Sequence, residues 1–127
     1  MGYRRRRLRN TAWYTPDHLT GGQKLTSNQQ LLSANGNNRL TLQADGNLVV
    51  NRVDTGQVLW ASATQGKPMS QVVMQDDGNF VVYSAAGKAL WSAYVNSPGD
   101  TLQMQNDGNL VVVSGRTPIW ASGTGGR

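Results

Sequence analysis

Three stretches of the chain carry the same polar side chains in the same order. They are Gln43-Ala44-Asp45-Gly46-Asn47-Leu48-Val49-Val50-Asn51, Gln75-Asp76-Asp77-Gly78-Asn79-Phe80-Val81-Val82-Tyr83 and Gln105-Asn106-Asp107-Gly108-Asn109-Leu110-Val111-Val112-Val113. Alternate positions give Gln43, Asp45, Asn47 and Val49, then Gln75, Asp77, Asn79, Val81 and Tyr83, then Gln105, Asp107, Asn109 and Val111. The amides donate and accept hydrogen bonds, the carboxylate accepts, and the phenol does both. Such a set has little reason to stand in water unless it holds a ligand. It is poorly equipped to break bonds. His18 is the only histidine, cysteine and glutamate are absent, and the three motif aspartates fall on separate repeats, so no acid/base pair is assembled. Asp76-Asp77-Gly78-Asn79 looks like part of a calcium loop, but the bidentate Glu that closes such a loop is missing. No enzyme activity, metal or cofactor is expected.

The elements that must position these groups are hairpins. Asp-Gly between two apolar runs is a strong hairpin signal, because glycine supplies the positive φ of the tight turn. Leu40 to Gln43 is an incoming strand and Asn47 to Asn51 an outgoing one, with Asp45-Gly46 at the tip; Val72 to Gln75 and Leu102 to Gln105 repeat the incoming strand. Alternation puts Leu40, Leu42, Leu48 and Val50 toward a core. Thr41, Gln43, Asn47, Val49 and Asn51 then face away from it, as do Gln75, Asn79, Val81 and Tyr83, and Gln105, Asn109, Val111 and Val113.

The glutamines recur at 32 and 30 residues, and a second marker keeps the same period. Leu59-Trp60-Ala61-Ser62, Leu90-Trp91-Ser92-Ala93 and Ile119-Trp120-Ala121-Ser122 place tryptophans 31 and 29 residues apart. Two markers on one period indicate three copies of one supersecondary unit. Residues 1–16 read as a basic N-terminal extension and residues 17–127 as one domain, with repeats over 17–62, 63–93 and 94–124. Short strands in residues 17–39 are expected to complete the first unit. Further turns are expected at Asp54-Thr55-Gly56, Ala86-Gly87 and Ser114-Gly115, making about four strands per unit, and the three tryptophans meet near a pseudo-threefold axis as core packing.

Composition agrees with an all-β domain: 15 glycines, several Asn-Gly and Asp-Gly pairs, and no long stripe of helical period. No apolar run approaches the ~18 residues of a membrane span. Met1-Gly2-Tyr3-Arg4 has no apolar core of a signal peptide behind it, so a cytoplasmic location or a leaderless export route is expected. The formal charge of +5 is local. Arg4, Arg5, Arg6, Arg7 and Arg9 carry it, while the seven basic residues after them are offset by seven aspartates. An arginine run seeks phosphate or an anionic surface. Without stacking aromatics on a platform it does not make a nucleic-acid site, and the plainer reading is a solvated terminus with Trp13 and Tyr14 packed back on the domain.

Gln-x-Asp-x-Asn-x-Val-x-Tyr followed by Trp-Ala-Ser (Trp91-Ser92-Ala93 in the second copy), repeated three times over residues 17–125, resembles the bulb-type, monocot mannose-binding lectins and is similar to their bacterial, fungal and fish relatives. The five fixed positions are complete in the second copy, and four of five are present in the other two. The resemblance implies a β-prism II fold, three four-stranded antiparallel sheets around a pseudo-threefold axis, with one shallow sugar site per sheet. It also implies the roles: Asp77 and Asn79 on the axial O2 of mannose, Gln75 on O3, Tyr83 on O4, and Val81 against the ring carbons. Asn51 and Val113 replace the tyrosine in the other copies, so Gln43, Asp45, Asn47 and Val49 are expected to bind weakly, and Gln105, Asp107, Asn109 and Val111 more weakly still. Plant members usually have a cysteine beside the motif aspartate and an internal disulfide. Gly46, Gly78 and Gly108 stand there, which looks more like the cysteine-free microbial or animal branch.

The partners implied are mannose-containing glycans or glycoproteins, together with a second copy of the chain, through exchange of the C-terminal strand around Thr117-Pro118-Ile119-Trp120. Two other readings remain open at this level. One is a single-domain lectin-like bacteriocin that binds bacterial surface polysaccharide. The other is a degenerate lectin fold used for protein interaction.

Overall fold

The computed structural model describes residues 6–7, 13–98 and 100–126, with side chains described from residue 15 onward. Arg4, Arg5 and Arg9 lie outside the described residues, as do the side chains of Arg6, Arg7, Trp13 and Tyr14, on which the expected packing of the extension depends. Strand β1 (Arg6–Arg7) pairs antiparallel with β2 (Trp13–Tyr14).

Three short strands precede the first hairpin: β3 (His18–Leu19), β4 (Lys24–Leu25) and β5 (Gln30–Leu32). The first hairpin follows as β6 (Asn38–Leu42) and β7 (Leu48–Arg52), extended by β8 (Val58–Ala61). The second repeat supplies β9 (Gln71–Met74), β10 (Phe80–Tyr83) and β11 (Ala89–Ser92). The third supplies β12 (Thr101–Met104), β13 (Leu110–Ser114) and β14 (Thr117–Ala121). These twelve strands form three four-stranded antiparallel sheets, ordered β5-β6-β7-β8, β11-β10-β9-β4 and β14-β13-β12-β3.

The fourth strand of each sheet corrects the sequence reading. Residues 17–39 do not serve the first unit alone. Only β5 joins it; β4 completes the second sheet beside β9 and β3 the third beside β12. Each short strand buries one leucine, Leu19, Leu25 or Leu31, and pairs the backbone edge that its three-stranded repeat would otherwise leave open. A small repeat drives this segment round the axis. In Leu19-Thr20-Gly21-Gly22-Gln23 and Leu25-Thr26-Ser27-Asn28-Gln29 the Thr N–H donates to the Gln Oε1 at 2.8 and 2.9 Å, and the Gln N–H returns to the Thr carbonyl at 3.0 Å in both. The period of six is visible in the sequence once the leucines are aligned.

The turns also differ in detail from a two-residue Asp-Gly tip. Gly46 and Gly78 donate their N–H to the carbonyls of Gln43 and Gln75 at 2.9 and 3.0 Å, and both have left-handed backbones with φ of +91° and +88°. That is the three-residue hairpin loop in which a left-handed glycine forms a bulge. Each turn is covered by a loop of another segment. Lys67 N–H donates to the Asp45 carbonyl at 2.9 Å, and the Ser97 carbonyl lies against Gly78. Asn35 N–H and Asn38 Nδ2 donate to Asn106 at 2.8 and 3.0 Å, which ties the first repeat to the third and closes the ring.

Inside the ring the inward leucines and valines of all three sheets form one cluster with Met74, Phe80 and Met104. Trp60, Trp91 and Trp120 pack on it edge to face, with ring centroids 5.2, 5.7 and 5.5 Å apart. This is the offset geometry that the ring quadrupoles favour. The expected meeting of the three indoles is observed.

Glycine substitution separates backbone strain from close packing. Gly36 has φ +76° with nothing near a built Cβ, so Gly36→Ala should cost only the left-handed penalty, about 1–2 kcal/mol. A Cβ on Gly78 would run into the Ser97 backbone as well, so Gly78→Ala should cost more than about 3 kcal/mol. Urea unfolding of the two variants measures the difference.

Candidate functional site

Each motif carries a carboxylate that closes its own turn. Asp45, Asp77 and Asp107 accept, through Oδ1, the backbone N–H of Asn47, Asn79 and Asn109, at 2.9 Å in all three. The other carboxylate oxygen remains available at the exposed tip.

The motif asparagines are half-buried, and their amides are divided in function. Asn79 Oδ1 accepts from Phe80 N–H at 3.0 Å, Ser92 Oγ–H at 2.9 Å and Val95 N–H at 3.1 Å. Asn109 Oδ1 accepts from Ser122 Oγ–H, Gly123 N–H and Thr124 N–H at 3.0, 3.1 and 3.2 Å. Asn47 Oδ1 does the same for Ser62 Oγ–H at 3.4 Å and Thr64 N–H at 3.2 Å. The carbonyl end of each amide is therefore consumed in joining the hairpin to the loop after its third strand. Only the NH2 end is left for a ligand. The sequence reading, in which these amides both donate and accept toward a ligand, is corrected on this point.

The supporting hydroxyls differ between repeats. In the first, Ser62 Oγ accepts Leu48 N–H at 3.1 Å and lies 2.7 Å from Thr64 Oγ1, which donates to the Gly46 carbonyl at 2.6 Å. Ser122 and Thr124 reproduce this in the third repeat, at 2.9 Å to Leu110 N–H and 2.7 Å to the Gly108 carbonyl. The second repeat has Ala93 and Val95 at these two places. Ser92, one residue earlier, supplies the hydroxyl, and Phe80 N–H turns to Asn79 Oδ1 instead.

The valines are corrected too. Val49, Val81 and Val111 lie outside the central cluster, as alternation requires, but they are only 3%, 3% and 2% exposed. Each sits on a central strand between register partners on both sides: Thr41 and Ala61, Val73 and Ser92, Gln103 and Ala121. Cross-strand neighbours cover them. They are packed into the outer face of their sheets, with almost no surface left open.

At the end of the motif away from the turn the three faces diverge. Gln75 Nε2 donates to Tyr83 Oη, so the complete motif arrives with its amide and phenol already joined. In the first repeat Asn51 is buried, at 8% exposure, and accepts Arg39 Nε–H on Oδ1 at 3.1 Å. Asn51, which stands where the second copy has its tyrosine, is thus held in an internal pair, because Arg39 is its register partner on β6. In the third, Val113 stands opposite Thr101 and brings no polar group.

Residues that motif reading missed stand on the fourth strands. Gln30, Lys24 and His18 face Thr41, Val73 and Gln103 in register, beside the first, second and third motifs respectively. His18 Nδ1 and Asp17 Oδ1 are 2.7 Å apart. Each of the three precedes a buried leucine or lies next to one, which is the signal the period-six segment carries.

No protein-family model matches the chain. It is 35% identical over 75 residues to the B-type lectin plumieribetin of Scorpaena plumieri, which is 59% of this chain; the match spans 64% of that relative's length, less than two thirds of it. It is 35% identical over 87 residues to a mannose-specific lectin of Aloe arborescens, covering 66% of this chain and 77% of the other. Among solved structures, the monomeric monocot mannose-binding lectins of Gastrodia elata superpose with a TM-score of 0.76 at 35% identity, over 86% of this chain and 98% of theirs.

The division of the Asn79 amide predicts how two substitutions differ in stability. Asn79→Ala leaves three donors without an acceptor and should cost about 2–3 kcal/mol in urea unfolding. Asn79→Asp keeps an oxygen at Oδ1 and should stay within about 1 kcal/mol of the parent.

Proposed function

The chain belongs to the bulb-type (B-type) mannose-binding lectins, and we propose that it binds terminal α-D-mannose, free or on mannose-rich glycans, at the outer face of the second repeat. Members of this family hold sugars without transforming them. The observation that carries the assignment is the single complete motif, in which Gln75 and Tyr83 are hydrogen-bonded to each other beside the available Asp77 oxygen and Asn79 NH2. A pyranose presents hydroxyls that both donate and accept. Asp77 accepts from them, Asn79 donates, and the joined Gln75–Tyr83 pair offers a carbonyl oxygen and a hydroxyl at fixed positions. Val81 supplies a packed floor that keeps these groups at their spacing.

The first and third faces are weaker versions of the same site. Gln43, Asp45, Asn47 and Val49 retain the turn end, but Asn51 is engaged with Arg39. Gln105, Asp107, Asn109 and Val111 retain it as well, with Val113 closing the other end to hydrogen bonding. Shallow sites with four or five polar contacts give a Kd of about a millimolar, some −4 kcal/mol. Several sites on one particle are therefore needed for useful avidity.

The lectin domain is read as residues 17–127, with 17–62, 63–93 and 94–124 as units of sequence only, since β3 and β4 complete the third and second sheets, and with residues 1–16 as a basic extension. The absence of cysteine supports reading the chain as one of the cysteine-free microbial or animal branch. For assembly, the reading is a homodimer made by exchange of β14. This strand lies at a sheet edge, pairs among the described residues only with β13, and is exposed along much of its length. The relatives are lectins by name, which favours sugar binding over the bacteriocin and protein-interaction readings.

Calorimetric titration with methyl-α-D-mannoside tests the assignment. Tyr83→Phe should weaken binding by about 1 kcal/mol. Asn79→Asp, which puts an acceptor where the donor stood, should abolish it while the fold persists. Unchanged affinity in both variants would remove the second face from the function. Light scattering in solution tests the dimer, and a monomer at all concentrations would overturn strand exchange.

A further inference from the structure

Tyr94 is the most exposed of the large apolar side chains among the described residues, at 89%. Its backbone is also left-handed, with φ +58°. The register aligns it with Ala63 and Gly123, because Ala61, Ser92 and Ala121 face the motif valines equivalently. Those two positions share the left-handed backbone, with φ +59° and +75°. The conformation thus belongs to the fold, and small residues meet it in two repeats of three. A side chain with a Cβ in this region costs about 1–2 kcal/mol, and a ring left in water returns no burial to offset that cost. Nothing in the packing explains a tyrosine here.

Its position supplies the explanation. Tyr94 N–H donates to Ser92 Oγ at 2.9 Å, Ser92 Oγ–H donates to Asn79 Oδ1 at 2.9 Å, and Val95 N–H donates to the same oxygen at 3.1 Å. Tyr94 is therefore bracketed by two residues that both grip the amide of the motif asparagine. It stands beside the turn end of the motif, where Asp77 and Asn79 lie, and only on the sheet whose motif is complete. The loop is held at its other end too, where the Ser97 carbonyl meets Gly78.

We propose that Tyr94 is a platform for a second sugar residue. Its ring stacks on the apolar C–H face of the pyranose linked to the mannose at Asp77 and Asn79, so that the second face takes a mannose disaccharide or a longer chain in preference to a single mannose. Tyrosine suits this task, being an amphipathic plate with few rotatable bonds to order. The inference rests on the mannose-binding reading of that face and adds a subsite to it.

The test compares methyl-α-D-mannoside with methyl α-mannobiosides (1→2, 1→3 and 1→6 linked) by calorimetry, on the parent chain, Tyr94→Gly and Tyr94→Phe. The parent should bind at least one mannobioside about tenfold more tightly than the monosaccharide, the factor that corresponds to 1.4 kcal/mol. Tyr94→Phe should keep that gain. Tyr94→Gly should lose it, while its urea midpoint rises because glycine relieves the left-handed strain. Loss of the gain in a more stable protein cannot be put down to misfolding. A monosaccharide that binds with no gain for any mannobioside, or a gain that survives in Tyr94→Gly, overturns the platform and leaves the mannose site standing. No binding of either sugar class overturns both.

Discussion

One carbonyl oxygen per repeat holds this molecule's working surface together. Asn47, Asn79 and Asn109 each direct Oδ1 into the protein, where it collects donors from the serine on or just after the third strand and from the loop that follows. A planar amide fixed at its oxygen has its nitrogen fixed as well. The NH2 group is thereby aimed outward with little rotamer entropy left to lose, as the proposed binding would require. The neighbouring aspartate is handled alike, with one oxygen held by the turn and the other presented. For a shallow site that makes few contacts, this pre-ordering is what lets weak bonds add up.

The ring of sheets lets three such surfaces share one core. Edge-to-face tryptophans at the axis and leucines from every strand join the repeats into a single cluster, so a change on an outer face need not disturb the interior. The repeats have used that freedom differently. The second pairs Gln75 with Tyr83, the first pairs Arg39 with Asn51, and the third places Val113 against Thr101. Even the support beneath the second asparagine is rewired, with Ser92 replacing the hydroxyl that Ala93 lacks. A surface that tolerates a changed support while keeping the same amide oriented is constrained by the orientation and not by the route to it.

Electrostatics plays a small part in the folded body. Positive charge concentrates before residue 10, and from there on seven basic residues are offset by seven aspartates. The described faces present hydrogen-bonding groups over packed valines and little net charge, which on the proposed reading leaves specificity to where hydroxyls sit around a ring. Three small sites on one rigid prism also suit multivalent display, where geometry between sites matters as much as affinity within one.

Residue order along the chain determined everything that depends on near neighbours. Glycine-tipped turns, the alternation of Leu40, Leu42, Leu48 and Val50, the thirty-residue period and the meeting of Trp60, Trp91 and Trp120 all follow from local geometry repeated three times. Tertiary structure alone decided what depends on distant partners. It sent β3 and β4 to the third and second sheets, since an open sheet edge is paired by whichever strand the ring brings beside it. It sealed Val49, Val81 and Val111 under cross-strand neighbours, and it spent the motif asparagine oxygens on loops some fifteen residues away. Alternation says which way a side chain points. Whether water or another strand meets it there is a property of the assembled surface.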